Sequence, residues 1–223
     1  MKTLLSILLL VCMCNSFAQN KKGAFLFQDN FTALDTSNWI IEKQKADSEI
    51  VAVKNGKLLI DTYGGATIWY KKELSGNICI TYKRTVMVDG GKNDRLSDLN
   101  NFWMATDPKG KMFAHHGGFA EYDSLNMYYV GMGGNYNKTT RFRKYYGGDK
   151  KIIEEFADSL HLLQANKEYF IEIVIKDGLV TFSVDGIVFF SWKDDQPLTH
   201  GYFGIRSTRS RQQVDEVNIY QLN

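Results

Sequence analysis

Cysteine, histidine and proline are scarce in this sequence, and their scarcity excludes several classes of protein. The 223 residues include three cysteines, four histidines and two prolines. The sequence has no Cys-x-x-Cys pair and no histidine spacing typical of zinc ligands, so we predict no metal site and no thiol chemistry. The formal net charge of +2 gives no reason to expect nucleic acid or an anionic membrane as a partner.

Residues 1–19 are expected to be a secretory signal peptide. Lys2 supplies the positive start, Leu4–Met13 is a short apolar run, and Ser16–Ala18 precedes the expected cleavage site. The apolar run is shorter than the roughly 20 residues that span a bilayer, which disfavours a membrane anchor. A lipoprotein signal is also disfavoured, because no small residue precedes either cysteine of this segment. We expect a monomer that is periplasmic or secreted, has no membrane span and retains only Cys79 as a cysteine.

The remaining residues, 20–223, have the pattern of a single all-β domain. Pairs that favour tight turns stand between strand-like runs at Asn55-Gly56, Asp177-Gly178 and Asp185-Gly186, and they predict β-hairpins. No linker rich in proline or serine divides the chain. Many short strands with closely spaced turns favour an all-β, two-sheet antiparallel jelly-roll sandwich.

Three further elements are predicted with specific boundaries. Gly201–Ser207 and Val214–Leu222 are expected to be two separate closing strands. Lys151–Gln164 is the best candidate for a helix, because its apolar residues recur at helix-like spacing, and a loop with one short helix is the alternative.

The central segment, residues 89–148, differs from both flanks. It holds most of the glycine pairs of the chain together with Trp103, His115, His116 and many tyrosines. Glycine lets the backbone turn sharply or approach a ligand closely, and function in sandwich folds tends to lie on loops. We therefore expect the functional site in this segment.

Both flanks carry motifs that point to a family. Phe27–Phe31 with Trp39, and later Phe182–Gly186 with Gly201–Arg206, resemble the corresponding parts of concanavalin A-like lectin and glucanase domains. The C-terminal motifs resemble the YesU-type family, whose members accompany rhamnogalacturonan degradation, and related uncharacterised polysaccharide-utilisation proteins of Bacteroidetes. The resemblance implies the jelly-roll fold and an association with glycans.

One test for hydrolysis is the retaining-glucanase signature of this fold, Glu-x-Asp-x-x-Glu on one strand. The nearest match is Glu121-Tyr122-Asp123-Ser124-Leu125-Asn126, in which Asn126 replaces the last glutamate. An amide cannot donate and recover a proton as a carboxylic acid does, so this match disfavours a retaining hydrolase. The adjacent acids Glu154-Glu155 and Asp194-Asp195 are expected to be solvated.

A polysaccharide lyase needs a cation to neutralise a uronate carboxylate and a base to remove the proton on C5 of the sugar. Strand alternation places Arg141, Arg143 and Tyr145 on one face, which suits a carboxylated sugar. The candidate catalytic residues are His116, Tyr128, Arg141 and Arg143. The candidate substrate-binding residues are Asn101, Trp103, His115, Asn126, Tyr145 and Arg206.

Each candidate also has a structural interpretation. Arg141 and Arg143 fit a solvated strand face paired with acids, His115 and His116 fit an ordinary loop, and Trp103 fits the core.

Three functions therefore stay open: an enzyme acting on an acidic polysaccharide, with a lyase favoured over a hydrolase; a carbohydrate-binding protein; and a structural or adhesion module. No cofactor is predicted. A structural calcium ion held by Asp29 and Asp215 is a secondary hypothesis.

Overall fold

The computed structural model describes residues 23–45 and 49–223, so the predicted signal peptide lies outside the described residues. The described chain forms fourteen β-strands. They are β1 (Ala24–Asp29), β2 (Trp39–Lys43), β3 (Ile50–Lys54), β4 (Lys57–Tyr70), β5 (Leu74–Ser75), β6 (Ile78–Met87), β7 (Leu99–Thr106), β8 (Asn126–Gly133), β9 (Thr139–Tyr146), β10 (Asp149–Phe156), β11 (Glu168–Lys176), β12 (Leu179–Val184), β13 (Ile187–Lys193) and β14 (His200–Gln221).

The strands form two packed layers that share the long strands β4 and β14. The first sheet runs β10-β9-β8-β7, then the first half of β14, the second half of β4, and β2. The second sheet runs β13-β12-β11-β6, then the second half of β14, with β1, β3 and the first half of β4 beside it. Each strand pairing is antiparallel, and this arrangement confirms the predicted two-sheet jelly roll.

The main core lies between the two sheets. The ring of Trp103 in β7 lies 6.3 Å from that of Phe182 in β12, and the ring of Phe142 in β9 lies 5.7 Å from that of Phe190 in β13. Cys79 is buried in β6, as its apolar neighbours predict. Each layer therefore buries one face of its alternating strands against the other.

The three predicted hairpins are present. Asn55 and Gly56 have φ values of 53° and 70°, and they join β3 to β4. Positive φ at both central residues is the geometry of the type I′ turn, which asparagine, aspartate and glycine tolerate. Asp177-Gly178 and Asp185-Gly186 repeat this conformation between β11, β12 and β13.

Two predicted boundaries are wrong. Gly201–Ser207 and nearly all of Val214–Leu222 belong to one strand, because pairing with β4 continues across a bulge in which Arg209 opposes two residues of β4, Tyr63 and Gly64. The segment predicted as a helix, Lys151–Gln164, contains strand β10 and a 3₁₀ turn at Ser159–His161. A register shift within β10 explains its helix-like spacing, because it breaks the two-residue alternation of the strand.

No helix within the described ranges is long and apolar enough to cross a membrane.

Candidate functional site

The candidate site lies on the face of the first sheet that points away from the main core, called here the site face. Register alone aligns one polar row across seven neighbouring positions of this face. In order across the sheet the row is Glu42, Thr67, Arg206, Asn100, Gly131, Arg141 and Glu155. Directly opposed residues on neighbouring strands share a face, so these residues all belong to the site face, although the first four are buried.

A second row runs beside the first and is richer in aromatic side chains. It contains Trp69, Gly204, Phe102, Tyr129 and Arg143. Part of it is buried beneath the segment 107–125, called here the covering loop, whose Phe113, Phe119 and Tyr122 pack against Trp69 and Phe102. The first sheet is therefore buried on both faces near β4 and only partly covered near β9, where Arg141 and Arg143 are half-buried. This less covered region is called here the open part of the site face.

Glu42 holds the covering loop through a buried carboxylate. Its oxygens accept hydrogen bonds from the indole N–H of Trp69 at 2.7 Å, the hydroxyl of Tyr122 at 2.9 Å and the backbone N–H of His115 at 2.8 Å. Burial and the neighbouring charge of Glu42 raise the pKa of Tyr122. Because the carboxylate is fully engaged by these donors, Glu42 serves as an anchor of the loop.

Arg206 fixes the same loop from the sheet side. Its guanidinium is buried and donates to the carbonyl of Gly117 at 2.8 Å, to Thr67 Oγ1 at 3.1 Å and to Thr208 Oγ1 at 3.0 Å. Gly117 has φ of +86°, and a Cβ there would lie 2.5 Å from the carbonyl oxygen of Gly65, so only glycine permits this close approach. Arg206, a predicted substrate-binding residue, lies on the site face, but its guanidinium is covered.

Arg143 occupies the open part of the site face. Its guanidinium carbon lies 5.5 Å from the ring centroid of Tyr129, and Nη1 lies 3.5 Å from the hydroxyl oxygen of Tyr145. Arg141 is ion-paired with Glu155 of the neighbouring strand. The structure places Arg141, Arg143 and Tyr145 on one face, as strand alternation predicts, although the Tyr145 side chain itself is buried.

Tyr128, Trp103 and Asn101 lie on the opposite face, within the main core, and are not brought together with Arg143. The hydroxyl of Tyr128 donates to Asp194 Oδ2 at 2.5 Å, Trp103 packs between aromatic rings, and Asn101 accepts from the hydroxyl of Tyr82. The roles predicted for these three residues are therefore wrong. Asn126, at the start of β8, follows the alternation of Tyr128 and is directed away from the site face.

The two histidines of the covering loop differ in their surroundings. The ring of His115 lies 5.0 Å from that of Tyr122, with Nδ1 3.6 Å from a Glu42 oxygen. The His116 side chain is 87% exposed, with Nδ1 3.5 Å from Glu121 Oε2. The backbone N–H of His116 donates to Glu121, and this bond, with a second from Gly118, lowers the pKa of that carboxyl. His116 is the accessible histidine of the two.

The glucanase-like acids do not form the expected pair. Glu121 and Asp123 lie in a 3₁₀ turn, Phe119–Ser124, within the covering loop, and not on a strand. In the described part of the sheet, the site-face positions of β7, β8 and β9 carry no carboxylate. They are Asn100, Phe102, Met127, Tyr129, Gly131, Arg141, Arg143 and Tyr145.

Sequence reasoning missed two carboxylates at this face. Glu42 lies far from the central segment in sequence, and only the β2–β4 pairing brings it there. Asp98 precedes β7 and is ion-paired with Arg95. Burial raises the pKa of Asp98, against the opposing influence of the Arg95 and Arg206 charges. No local motif marks either residue, because both positions depend on contacts distant in sequence.

The predicted calcium ligands are engaged elsewhere. Asp29 accepts hydrogen bonds from the backbone N–H of Phe31 and the indole N–H of Trp39, both at 2.7 Å. Asp215 lies 3.9 Å from the ammonium of Lys57. Within residues 23–45 and 49–223 no group of three or more His, Cys, Asp or Glu side chains is arranged to hold a metal ion. Both carboxylates thus have partners within the protein, and the calcium hypothesis stays a prediction.

Comparisons with known proteins agree with this architecture. The family model described as "Domain of unknown function (DUF6250)" matches residues 60–217. A protein of unknown function with a galectin-like fold from Bacillus subtilis superposes with a TM-score of 0.74 at 18% identity, covering 90% of this chain and 97% of that chain. No curated protein has a significantly similar sequence.

Two further solved structures share the fold at lower identity. An endo-β-1,3-glucanase from Pyrococcus furiosus has a TM-score of 0.63 at 11% identity, covering 92% of this chain and 97% of that chain. The carbohydrate-binding module CBM66 from Bacillus subtilis has a TM-score of 0.56 at 13% identity, covering 82% of this chain and 96% of that chain. At such identities the likeness shows the fold alone.

Proposed function

Because the matched model spans most of the chain, the protein belongs to the family described as "Domain of unknown function (DUF6250)", and we propose that it binds an acidic saccharide on the site face. The proposal is supported by the jelly-roll fold, which is shared with a glucanase and a carbohydrate-binding module. The observation that carries it is the environment of Arg143, a cation supported by an aromatic ring at the open part of the site face.

Arg143 differs from its cationic neighbours because they form ion pairs with carboxylates of the protein. Arg141 pairs with Glu155, and Lys150 pairs with Asp123. Among the described residues, no carboxylate oxygen lies within ion-pair distance of Arg143, so its charge is not neutralised by the protein. A guanidinium presents a planar set of donors that matches a carboxylate bidentately, which suits the carboxyl group of a uronic acid.

The side chains on the site face also disfavour hydrolysis by a pair of carboxylates. A retaining mechanism needs two carboxyl groups about 5 Å apart on either side of the glycosidic bond. The described central strands supply amide, aromatic and cationic side chains at the corresponding positions. Recognition without hydrolysis is therefore the function that the geometry supports best.

The cellular setting completes the proposal. The predicted signal peptide would export residues 20–223 as a single domain to the periplasm or cell surface, where polysaccharides occur. The resemblance of the C-terminal motifs to the YesU-type family makes rhamnogalacturonan fragments the first ligands to test.

We expect Arg143→Met to weaken binding of a uronate-containing oligosaccharide by about tenfold to a hundredfold, since a charge-assisted bidentate contact contributes about 1.5–3 kcal/mol. Isothermal titration calorimetry with rhamnogalacturonan and homogalacturonan fragments would measure this change. The matched control is Lys176→Met, which removes one exposed charge from the second sheet.

Carboxyl-reduced versions of the same oligosaccharides test the chemistry directly. They keep the sugar rings and remove the carboxylates, so the wild-type protein should bind them as weakly as Arg143→Met binds the acidic forms. Equal binding of acidic and reduced ligands by the wild type would show that the site does not select a carboxylate.

β-Elimination is the second candidate, and it is supported by the exposed His116 ring beside Glu121 at the rim of the covering loop. In this reaction a base would take the C5 proton of a uronate, the C4–O bond would break, the leaving oxygen would take a proton from water, and a C4=C5 double bond would remain. The buried Tyr128 cannot protonate the leaving oxygen from the opposite face. Growth of the ultraviolet absorbance of the unsaturated product, lost in His116→Ala, would establish a lyase, and a flat signal with measurable binding would exclude β-elimination of the ligands tested.

A further inference from the structure

Two exposed tyrosines near one end of the site face are each backed by an arginine. Tyr63 and Tyr136 are 54% and 67% exposed. The guanidinium carbon of Arg209 lies 5.0 Å from the Tyr63 ring centroid, and that of Arg95 lies 5.1 Å from the Tyr136 ring centroid. Large aromatic rings that are held in place yet open to solvent can serve as contact platforms for a ligand.

The two pairs belong to one continuous surface, called here the tyrosine strip. Arg95 Nε donates to the backbone carbonyl of Arg209 at 2.8 Å, and Arg95 Nη2 donates to the carbonyl of Thr208 at 2.5 Å. Arg95 also pairs with Asp98. The order along the strip is therefore Tyr63, Arg209, Arg95 and Tyr136, with Asp98 beneath its centre.

The tyrosine strip extends the site face. Arg206 of β14 pairs with Asn100 of β7 in the polar row described above. Thr208 lies two residues farther along β14 and its hydroxyl accepts from Arg206, while Asp98 directly precedes β7 and lies within the influence of the Arg206 charge. The accessible route runs along β9, where the half-buried Arg143, Arg141 and Thr139 lie at alternate positions toward the turn that carries Tyr136. A saccharide that contacts Arg143 and Arg141 can therefore reach the strip along this strand.

The turn that presents Tyr136 has an unusual backbone. Asn135, Tyr136 and Asn137 all lie in the left-handed region, with φ of 54°, 59° and 60°. The side chain of Asn137 fixes the turn, because it donates to the carbonyl of Leu163 and accepts from the N–H of Leu163, both at 2.8 Å. A bulky residue in this region is strained, and strain retained by its surroundings clusters at functional sites.

We propose that the tyrosine strip is a second saccharide subsite, which receives another acidic sugar residue of the chain that Arg143 binds. The tyrosine rings would pack against the C–H faces of the sugar, and the guanidinium of Arg209 would attract its carboxylate. This inference rests on the proposed function and deepens it. It states that the ligand is an oligosaccharide long enough to reach both places.

Titration calorimetry with a length series of acidic oligosaccharides, from the disaccharide to the octasaccharide, tests the subsite. Wild-type affinity should rise with length until the ligand spans both places. Tyr136→Asn removes the ring and keeps a residue that tolerates the left-handed conformation, while Tyr63→Thr keeps a strand-forming residue. Each should lower affinity for the long ligands by about threefold to tenfold and leave the short ligands unchanged.

Phe170→Ala is the matched control, since it removes an exposed aromatic ring from β11 of the second sheet. Thermal melting of each variant reports whether the fold is retained. If both tyrosine variants keep the wild-type dependence on length while Arg143→Met loses affinity at all lengths, the subsite is wrong and the proposed function stands. If the wild type binds no member of the series, the acidic-saccharide function itself is wrong.

Discussion

Asp194→Ala is expected to destabilise the folded state by about 3–5 kcal/mol, the range seen when one partner of a buried ion pair is removed. Asp194 Oδ2 lies 2.6 Å from the ammonium of Lys144 and accepts the hydroxyl of Tyr128 at 2.5 Å. All three side chains are buried. The substitution would leave a buried ammonium without its counter-ion and a buried hydroxyl without its acceptor, and both cost free energy.

The adjacent residue supplies a close control. Asp195 is exposed, so Asp195→Ala should change the free energy of unfolding by less than about 0.5 kcal/mol. Urea denaturation at neutral pH measures both variants. Equal, small effects would show that the Lys144–Asp194 pair does not stabilise the fold.

Acid should reduce the difference in the free energy of unfolding between the wild type and Asp194→Ala. Burial raises the pKa of Asp194, but hydrogen bonds from Lys144 and Tyr128 outweigh it, so the pKa in the folded state is lowered. A lowered carboxyl pKa stabilises the folded state above the pKa of the unfolded chain, and this contribution disappears as pH falls through the folded-state value. If the difference in unfolding free energy grew as the pH fell, Asp194 would not have a lowered pKa in the folded state.

Glu42→Ala is expected to release the covering loop and to cost about 2–4 kcal/mol of stability. The side chain accepts hydrogen bonds from Trp69, Tyr122 and the backbone of His115, and each buried donor left without a partner costs about 1–3 kcal/mol before the loop relaxes toward water. Amide hydrogen exchange should therefore accelerate in residues 112–122 and stay unchanged in β11 and β12.

Glu154→Ala provides the comparison, because it removes an exposed carboxylate from the edge strand β10. It should leave both stability and the exchange of the covering loop unchanged. Unaltered exchange in Glu42→Ala would mean that the aromatic packing alone holds the loop, and the buried carboxylate would then have no anchoring role.

The fold was predictable because local signals and the global arrangement agree. Asn55-Gly56 requires a turn wherever it stands between strands, and the alternation of β9 orders Arg141, Arg143 and Tyr145 on one face without any tertiary information. Such features depend on neighbours within a few residues. Signals of that range are available in a single sequence.

The assignment of faces was not predictable in the same way. Strands β7 and β8 carry large apolar side chains at consecutive positions, such as Phe102 beside Trp103 and Tyr128 beside Tyr129. Alternation shows that neighbours oppose each other, but it does not show which of them faces the main core. Here the covering loop buries the second face as well, so both positions of each pair are apolar for a physical reason.

Asp194 illustrates the same limit for charge. An Asp-Asp pair after a strand predicts solvent exposure. Asp194 is nevertheless buried, because Lys144 and Tyr128, on strands distant in sequence, donate hydrogen bonds to its carboxylate. The continuous course of β14 has a similar origin, since the pairing with β4 carries the chain across the bulge at Arg209. Both features arise from long-range partners.

The measurement that tests the central claim most directly is differential hydrogen exchange of residues 20–223 with and without a saturating acidic oligosaccharide. Binding on the site face predicts slower exchange in β8, β9 and the covering loop, with no change in β11, β12 and β13. The recovered oligosaccharide should be intact by mass spectrometry. Protection confined to the second sheet, or no protection at saturation, would contradict the account.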